Sequence, residues 1–200
     1  SCFFSSIIRY VIDYKFFLGV LATAIAFVSY APYLINIVKK KTKPHAFSWL
    51  VWGVITAVAF FVQVGEQGGA GSWVTGFSAA VCFLIFILAL IWGDRRFVLF
   101  DWANLVGAMF VIFLWWFTGD PVISVILVIV IDILGFLPSY RKGFYKPHEE
   151  TAVTFGLNSL KFAVSIPALE VFAFATLAYP IYLVFANALF AIMLVVRRKI

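Results

Sequence analysis

Two stretches of this chain, residues 29 to 53 and 134 to 156, carry one succession of features: an apolar helix, a proline, a basic loop, Lys-Pro-His and a second apolar helix. In the first, Pro32 leads to Lys39, Lys40 and Lys41, then to Lys43-Pro44-His45, Ser48, Trp52 and Gly53. In the second, Pro138 leads to Arg141 and Lys142, then to Lys146-Pro147-His148, Thr151, Phe155 and Gly156. From Pro44 to Gly53 the copies align without a gap at a separation of 103 residues, and only the loop after the first proline differs, by three residues. Apolar stretches share valines and leucines by chance; they rarely share prolines, cations and histidines in register. The chain is read as a duplicated unit, and duplicated helical units are a common plan for membrane transporters.

Composition decides the solvent in which that unit folds. Hydrophobic residues make up 64% of the chain, charged residues 12%, and the mean hydropathy is +1.07. A soluble domain carries about 25% charged residues, so this chain belongs in a bilayer. A spanning helix needs roughly 20 mostly apolar residues, and seven segments qualify: 16–38, 46–64, 72–92, 101–117, 121–140, 150–170 and 172–196. The expected fold is an all-α integral membrane protein with seven transmembrane helices. The first segment exceeds the ~7 to 15 apolar residues of a secretory signal and no cleavage pattern follows it, so it is read as retained. Residues 1–15 ahead of it are read as interfacial. Cys2 and Cys82 offer neither a disulfide framework nor a metal-ligand spacing, and no metal or cofactor is expected.

In a soluble protein the net charge of +6 would suggest nucleic acid, but here the cations sort by side of the membrane. One side holds Lys39, Lys40, Lys41, Lys43, Arg95, Arg96, Arg141, Lys142, Lys146, Arg197, Arg198 and Lys199; the other holds Arg9 and Lys15. That asymmetry places the carboxyl terminus and both Lys-Pro-His loops in the cytoplasm and the amino terminus outside, in a plasma (inner) membrane. The expected partners are the lipid bilayer and a small solute, not nucleic acid, and a homo-oligomer is compatible with the plan. A three-helix unit repeated directly would arrive inverted, and one intervening helix restores its direction. The expected layout is a first repeat over 16–92, a linker helix within 93–120 and a second, parallel repeat over 121–200, a 3+1+3 arrangement.

Proline, about nine residues, Lys-Ser/Thr and a serine-containing helix start form a pattern that resembles the PQ-loop signature, here Pro32-Tyr33, Lys41-Thr42 and Phe47-Ser48. With the 3+1+3 layout and the outside amino terminus, the chain is similar to members of the PQ-loop and SWEET clan of seven-helix transporters. Neither copy has the signature glutamine; Tyr33 and Ser139 stand there. The resemblance implies hinge roles for Pro32 and Pro138 in the first and fifth helices. It also implies a solute-binding asparagine in the seventh helix at Asn187, whose counterpart in the third helix is missing. Alternating access between two three-helix bundles follows from the same resemblance.

Intramembrane polar residues point to a site independently. Asp132 lies midway along the fifth segment and Lys161 midway along the sixth, each about 13 to 16 Å from the cytoplasmic edge at 1.5 Å per residue. Either charge alone would cost at least ~2.5 kcal/mol at the bilayer centre, so the two are expected to pair. Asn158 shares the face of Lys161, three residues on. The equivalent positions of the first copy are Ile55 and Val58, so polarity is concentrated in the second repeat. Trp52 and Phe155 match across the repeats and are expected to wall a central cavity with Asn158 and Asn187.

The chain contains no HExxH, no GxSxG and no glycine-rich phosphate loop, so no enzymatic activity is expected. The expected function is transport of a small hydrophilic solute, sugar-like in the first instance, with an amino acid or vitamin as variants. The alternative is a receptor on the same fold, similar to the KDEL receptor, binding a peptide carboxylate through Lys161 without transport.

Overall fold

A computed structural model describes residues 2–93 and 99–199, without the side chains of residues 2–13, 100, 101, 104, 138 and 142. Arg95 and Arg96, and the side chains of Arg9, Pro138 and Lys142, therefore lie outside the described residues. Every regular element among the described residues is helical: α1 (Cys2–Val38), α2 (Ala46–Gly65), α3 (Trp73–Trp92), α4 (Leu99–Thr118), α5 (Pro121–Tyr145), α6 (Ala152–Ser165) and α7 (Phe174–Arg197). Short 3-10 turns lie at Gly69–Ser72, Pro147–Glu149 and Ile166–Ala168.

Five stretches are helical, long and apolar enough to cross a membrane: Tyr14–Val38, Ala46–Gly65, Gly69–Trp92, Pro121–Tyr145 and Phe174–Arg197. They mark an integral membrane protein. Their outward faces agree, since Phe27, Ile91, Ile133, Phe185 and Ile192 are all exposed; so much apolar surface is stable against lipid and a liability in water. In hydrocarbon the backbone must satisfy its own hydrogen bonds, which is why apolar runs of this length close into helices.

Three of the expected segments differ in detail. The stretch 150–170 is not one full-length helix: α6 has 14 residues, about 21 Å at 1.5 Å per residue, against a hydrocarbon core of about 30 Å. Pro167 accounts for the break, because it has no N–H to donate and sits in the 3-10 turn that follows Ser165. Helix α4 runs over Leu99–Thr118, 20 residues against the expected 101–117, with an apolar stretch over Leu105–Thr118 among the described residues. Residues ahead of 16 are not separate from the first helix, since α1 runs on from Cys2 as one helix of 37 residues. Pro32 lies inside α1, and Pro180 lies inside α7.

The packing order has the symmetry of the repeat. Helix α3 lies between α1 and α2, and α7 lies between α5 and α6. The two triplets meet through α1 against α6 and α2 against α5, closing a ring, while α4 rests on α2 and α5 outside it. One core cluster draws buried residues from all seven helices, among them Ala22, Ile55, Val74, Val111, Val128, Phe162 and Tyr179. Two smaller clusters are each confined to one triplet: Tyr30, Ile37, Trp49 and Ile85 in the first, Phe136, Phe155, Phe190 and Leu194 in the second. Trp52 packs against all three.

At the end opposite the Lys-Pro-His loops glycines permit close backbone approach, Gly19 of α1 to the turn at Gly69–Ser72 within the first triplet and Gly71 to Leu169 between the triplets. A Cβ at Gly19 would stand 2.7 Å from the Ala70 carbonyl oxygen, and one at Gly71 would stand 2.7 Å from the Leu169 backbone nitrogen. Backbone cannot move aside as a side-chain tip can. Gly71→Ala should therefore lower stability by about 1 to 3 kcal/mol, whereas Gly65→Ala, with no atom within 4 Å, should not. Thermal unfolding of the detergent-purified variants checks this, and equal melting temperatures would contradict it.

Candidate functional site

Inside the ring lies a cavity with about 440 Å³ of space between atoms, its mouth included. Tyr30 comes from α1, Trp49, Trp52 and Thr56 from α2, and Ser78 and Cys82 from α3. The second triplet supplies Asp132 and Phe136 from α5, Phe155, Asn158 and Phe162 from α6, and Tyr179, Leu183 and Asn187 from α7. Only α4 contributes nothing. The repeat is visible in the walls: Trp52 faces in as Phe155 does, and Tyr30 and Phe136 each stand two residues before the matched prolines. On α3 and α7 the lining residues recur one turn apart, Ser78 and Cys82 against Leu183 and Asn187. Mostly apolar and aromatic walls with a few convergent polar groups are the usual make-up of a small-molecule site.

Lys161 is fully buried, and its partners are not the expected carboxylate. Its amine donates to the Tyr30 hydroxyl at 3.0 Å and to Ser78 Oγ at 2.9 Å. It also lies 4.1 Å from the centroid of the Tyr30 ring and 4.8 Å from that of Phe162, a geometry in which ring quadrupoles attract a cation. The expected Asp132–Lys161 ion pair does not form among the described residues. The reason is rotational: α6 turns Lys161 toward α1 and α3, while Asp132 on α5 faces the cavity. Lys161 is not itself a lining residue; the two groups that hold it are.

Asp132 is 1% exposed, and its Oδ2 has no hydrogen-bond partner among the described residues. Tyr182 of α7 interacts with the carboxyl group. The indole Nε1 of Trp52 is likewise buried without a partner. It comes 3.2 Å from where a Cβ on Gly135 would be, and its ring lies 5.2 Å from Phe136, so it reaches α5 beside Asp132. Most buried polar groups in proteins are satisfied; among the described residues Gln63 Oε1, Thr75 Oγ1 and Thr154 Oγ1 also lack partners, but of the five only Asp132 and Trp52 line the cavity.

The remaining polar groups of the walls are engaged. Ser29 Oγ donates to Asn158 Oδ1 at 2.9 Å, joining α1 to α6. Thr56 and Tyr179 share a hydroxyl–hydroxyl bond of 3.0 Å between α2 and α7. Asn187 donates from Nδ2 to the Leu183 carbonyl of its own helix at 2.8 Å, which leaves its Oδ1 as the group available to a solute. Of the residues expected at the site, Asn187, Asn158, Trp52, Phe155 and Asp132 line one cavity, and Lys161 stands behind its wall. Pro32 lies one helical turn or less from Tyr30, and the side chain of Pro138 lies outside the described residues.

Tyr30, Ser78, Thr56, Phe136 and Tyr179 were not expected. Tyr30 and Phe136 carried a signal, because they occupy equal distances from the matched prolines. Ser78 and Thr56 carried none, being single hydroxyls in apolar helices. Compared with family models, with curated proteins and with solved structures, the chain has no match.

The separation of Asp132 and Lys161 has a measurable consequence. Lys161→Met removes the donor from which the Tyr30 and Ser78 hydroxyls accept and should cost about 1 to 3 kcal/mol. Residues without shared partners add within ~0.5 kcal/mol, so the stability losses of Asp132→Asn and Lys161→Met should sum in the double variant. A double variant more stable than either single one would restore the ion pair.

Proposed function

We propose that the chain is a seven-span membrane transporter of 3+1+3 plan that carries a small hydrophilic solute by alternating access between its two triplets. The observation that carries this reading is a cavity between the triplets, walled by α1, α2, α3, α5, α6 and α7, with buried polar atoms that no protein group satisfies. A site shared equally by two parallel repeats is placed where rocking one triplet against the other changes its access.

The contacts between triplets support such a motion. Lys15 pairs with Glu170 at 3.3 Å, the Glu170 backbone N–H donates to Gly68 O, and Gln63 Nε2 donates to Thr176 O. These bonds lie at the end of the molecule that carries the 3-10 turns at Gly69–Ser72 and Ile166–Ala168. Toward the Lys-Pro-His loops, by contrast, sit the two core clusters that belong to one triplet each. The arrangement suits a state closed at the turn end. Pro32 and Pro180 supply positions where α1 and α7 can flex. The PQ-loop-like repeat fits the same reading. A receptor that grips a carboxylate with Lys161 fits less well, because that amine is already held by Tyr30 and Ser78.

Orientation is part of the proposal: Lys-Pro-His loops in the cytoplasm, the 3-10 turns at Gly69–Ser72 and Ile166–Ala168 outside. Single cysteines at Gly65, where a side chain meets nothing within 4 Å, and at Lys146, in a background lacking Cys2 and Cys82, should label from outside only at Gly65. Labelling of the Lys146 position in intact cells would invert the protein.

The transport reading is tested by solute uptake into proteoliposomes. Asn187→Leu removes the free amide oxygen and should reduce uptake per folded molecule by roughly tenfold, the equivalent of one lost buried hydrogen bond. Unchanged uptake per folded molecule would take Asn187 out of the site.

A further inference from the structure

On the transport reading above, the cavity also specifies what its solute must carry. Asp132 is the one ionisable carboxyl group among its lining residues, and Oδ2 is without a donor. The nearest candidate counter-charge on the protein, Lys161, is committed to Tyr30 and Ser78. Thr56, Ser78 and Asn158 already have partners, and Asn187, whose amide nitrogen is held by the Leu183 carbonyl, offers only a neutral oxygen. A carboxylate left so in an apolar interior is costly unless a cation reaches it. Around it stand Trp52, Phe136 and Tyr179, and aromatic faces attract organic cations.

The second unsatisfied atom adds a requirement. Trp52 Nε1 can only donate, so it calls for an acceptor. Phe136 follows Asp132 by one helical turn and therefore shares its face, and the Trp52 ring packs on Phe136 at 5.2 Å. An unmet acceptor on α5 and an unmet donor on α2 thus flank one aromatic ring.

We infer that the solute is a small protonated amine bearing a neighbouring oxygen, an amino alcohol in chemical class, with its ammonium group on Asp132 and its oxygen accepting from Trp52. The ammonium donates N–H to Oδ2 and balances its charge. Trp52 fixes the other end. No covalent step is involved.

Isothermal titration of the full-length protein in detergent with ethanolamine, ethylamine and ethylene glycol tests each part. The wild-type chain should bind ethanolamine most tightly, ethylamine less tightly and ethylene glycol not measurably. Asp132→Asn should weaken both amines by roughly tenfold or more, as expected for a lost charged hydrogen bond. Trp52→Phe keeps an aromatic ring and deletes the donor; it should weaken ethanolamine by a larger factor than ethylamine, and equal losses for the two amines would remove the Trp52 contact. Binding of ethylene glycol as tightly as of ethanolamine, or of neither amine, by the wild-type chain would overturn the inference, whatever the variants do. Uptake of a neutral solute by protein that binds no amine would remove this inference and leave transport standing. Amine binding without flux in proteoliposomes would do the reverse.

Discussion

With its side chain withdrawn from solvent and no carboxylate beside it, the Lys161 amine takes its hydrogen bonds from Tyr30 of α1 and Ser78 of α3. One side chain of the second triplet is thereby fastened to two helices of the first. Much of the site follows from that fastening. It fixes the rotation of α6, and with it the inward direction of Phe155, Asn158 and Phe162, which lie on the same helix. Ser29 to Asn158 repeats the connection between α1 and α6 about one turn of α6 away from the cation. Because the amine is held by hydroxyls and ring faces, Asp132 is left to the cavity.

Polar bridges between the triplets are unevenly distributed, and the distribution matters physically. In hydrocarbon there is no hydrophobic force to press helices together; packing and hydrogen bonds do it. Where Lys15 meets Glu170, Gln63 meets Thr176, and Gly71 lets the backbone approach Leu169, the halves are joined by both. Nearer the Lys-Pro-His loops the buried aromatic residues pack within each triplet, and Trp52 is the side chain that touches every cluster. A large ring at that junction is placed to register any change in how the triplets meet. Its indole N–H, lacking a partner, gives the same residue a reason to contact a solute.

Duplication gave two similar halves with unequal chemistry. The cavity draws on both, yet its asparagines and its carboxyl group come from the second triplet, while the first supplies Tyr30, Trp49, Trp52, Thr56, Ser78 and Cys82. Asn158 and Lys161 have Ile55 and Val58 as their counterparts in the first copy.

The sequence by itself determined the solvent, the helical class and the repeated Pro…Lys-Pro-His pattern, because these depend on composition and on short-range order along the chain. That Asn158, Trp52, Phe155 and Asp132 line one cavity agrees with their depth and repeat position, while Asn187, which lines it too, was expected from the PQ-loop-like resemblance. Equal depth also suggested that Asp132 and Lys161 meet, and there the linear order misled: depth fixes a residue along the membrane normal but not its direction around the helix. That direction is set by how neighbouring helices pack. Tertiary structure alone turned Lys161 to Tyr30 and Ser78 and left Asp132 Oδ2 and Trp52 Nε1 without partners among the described residues.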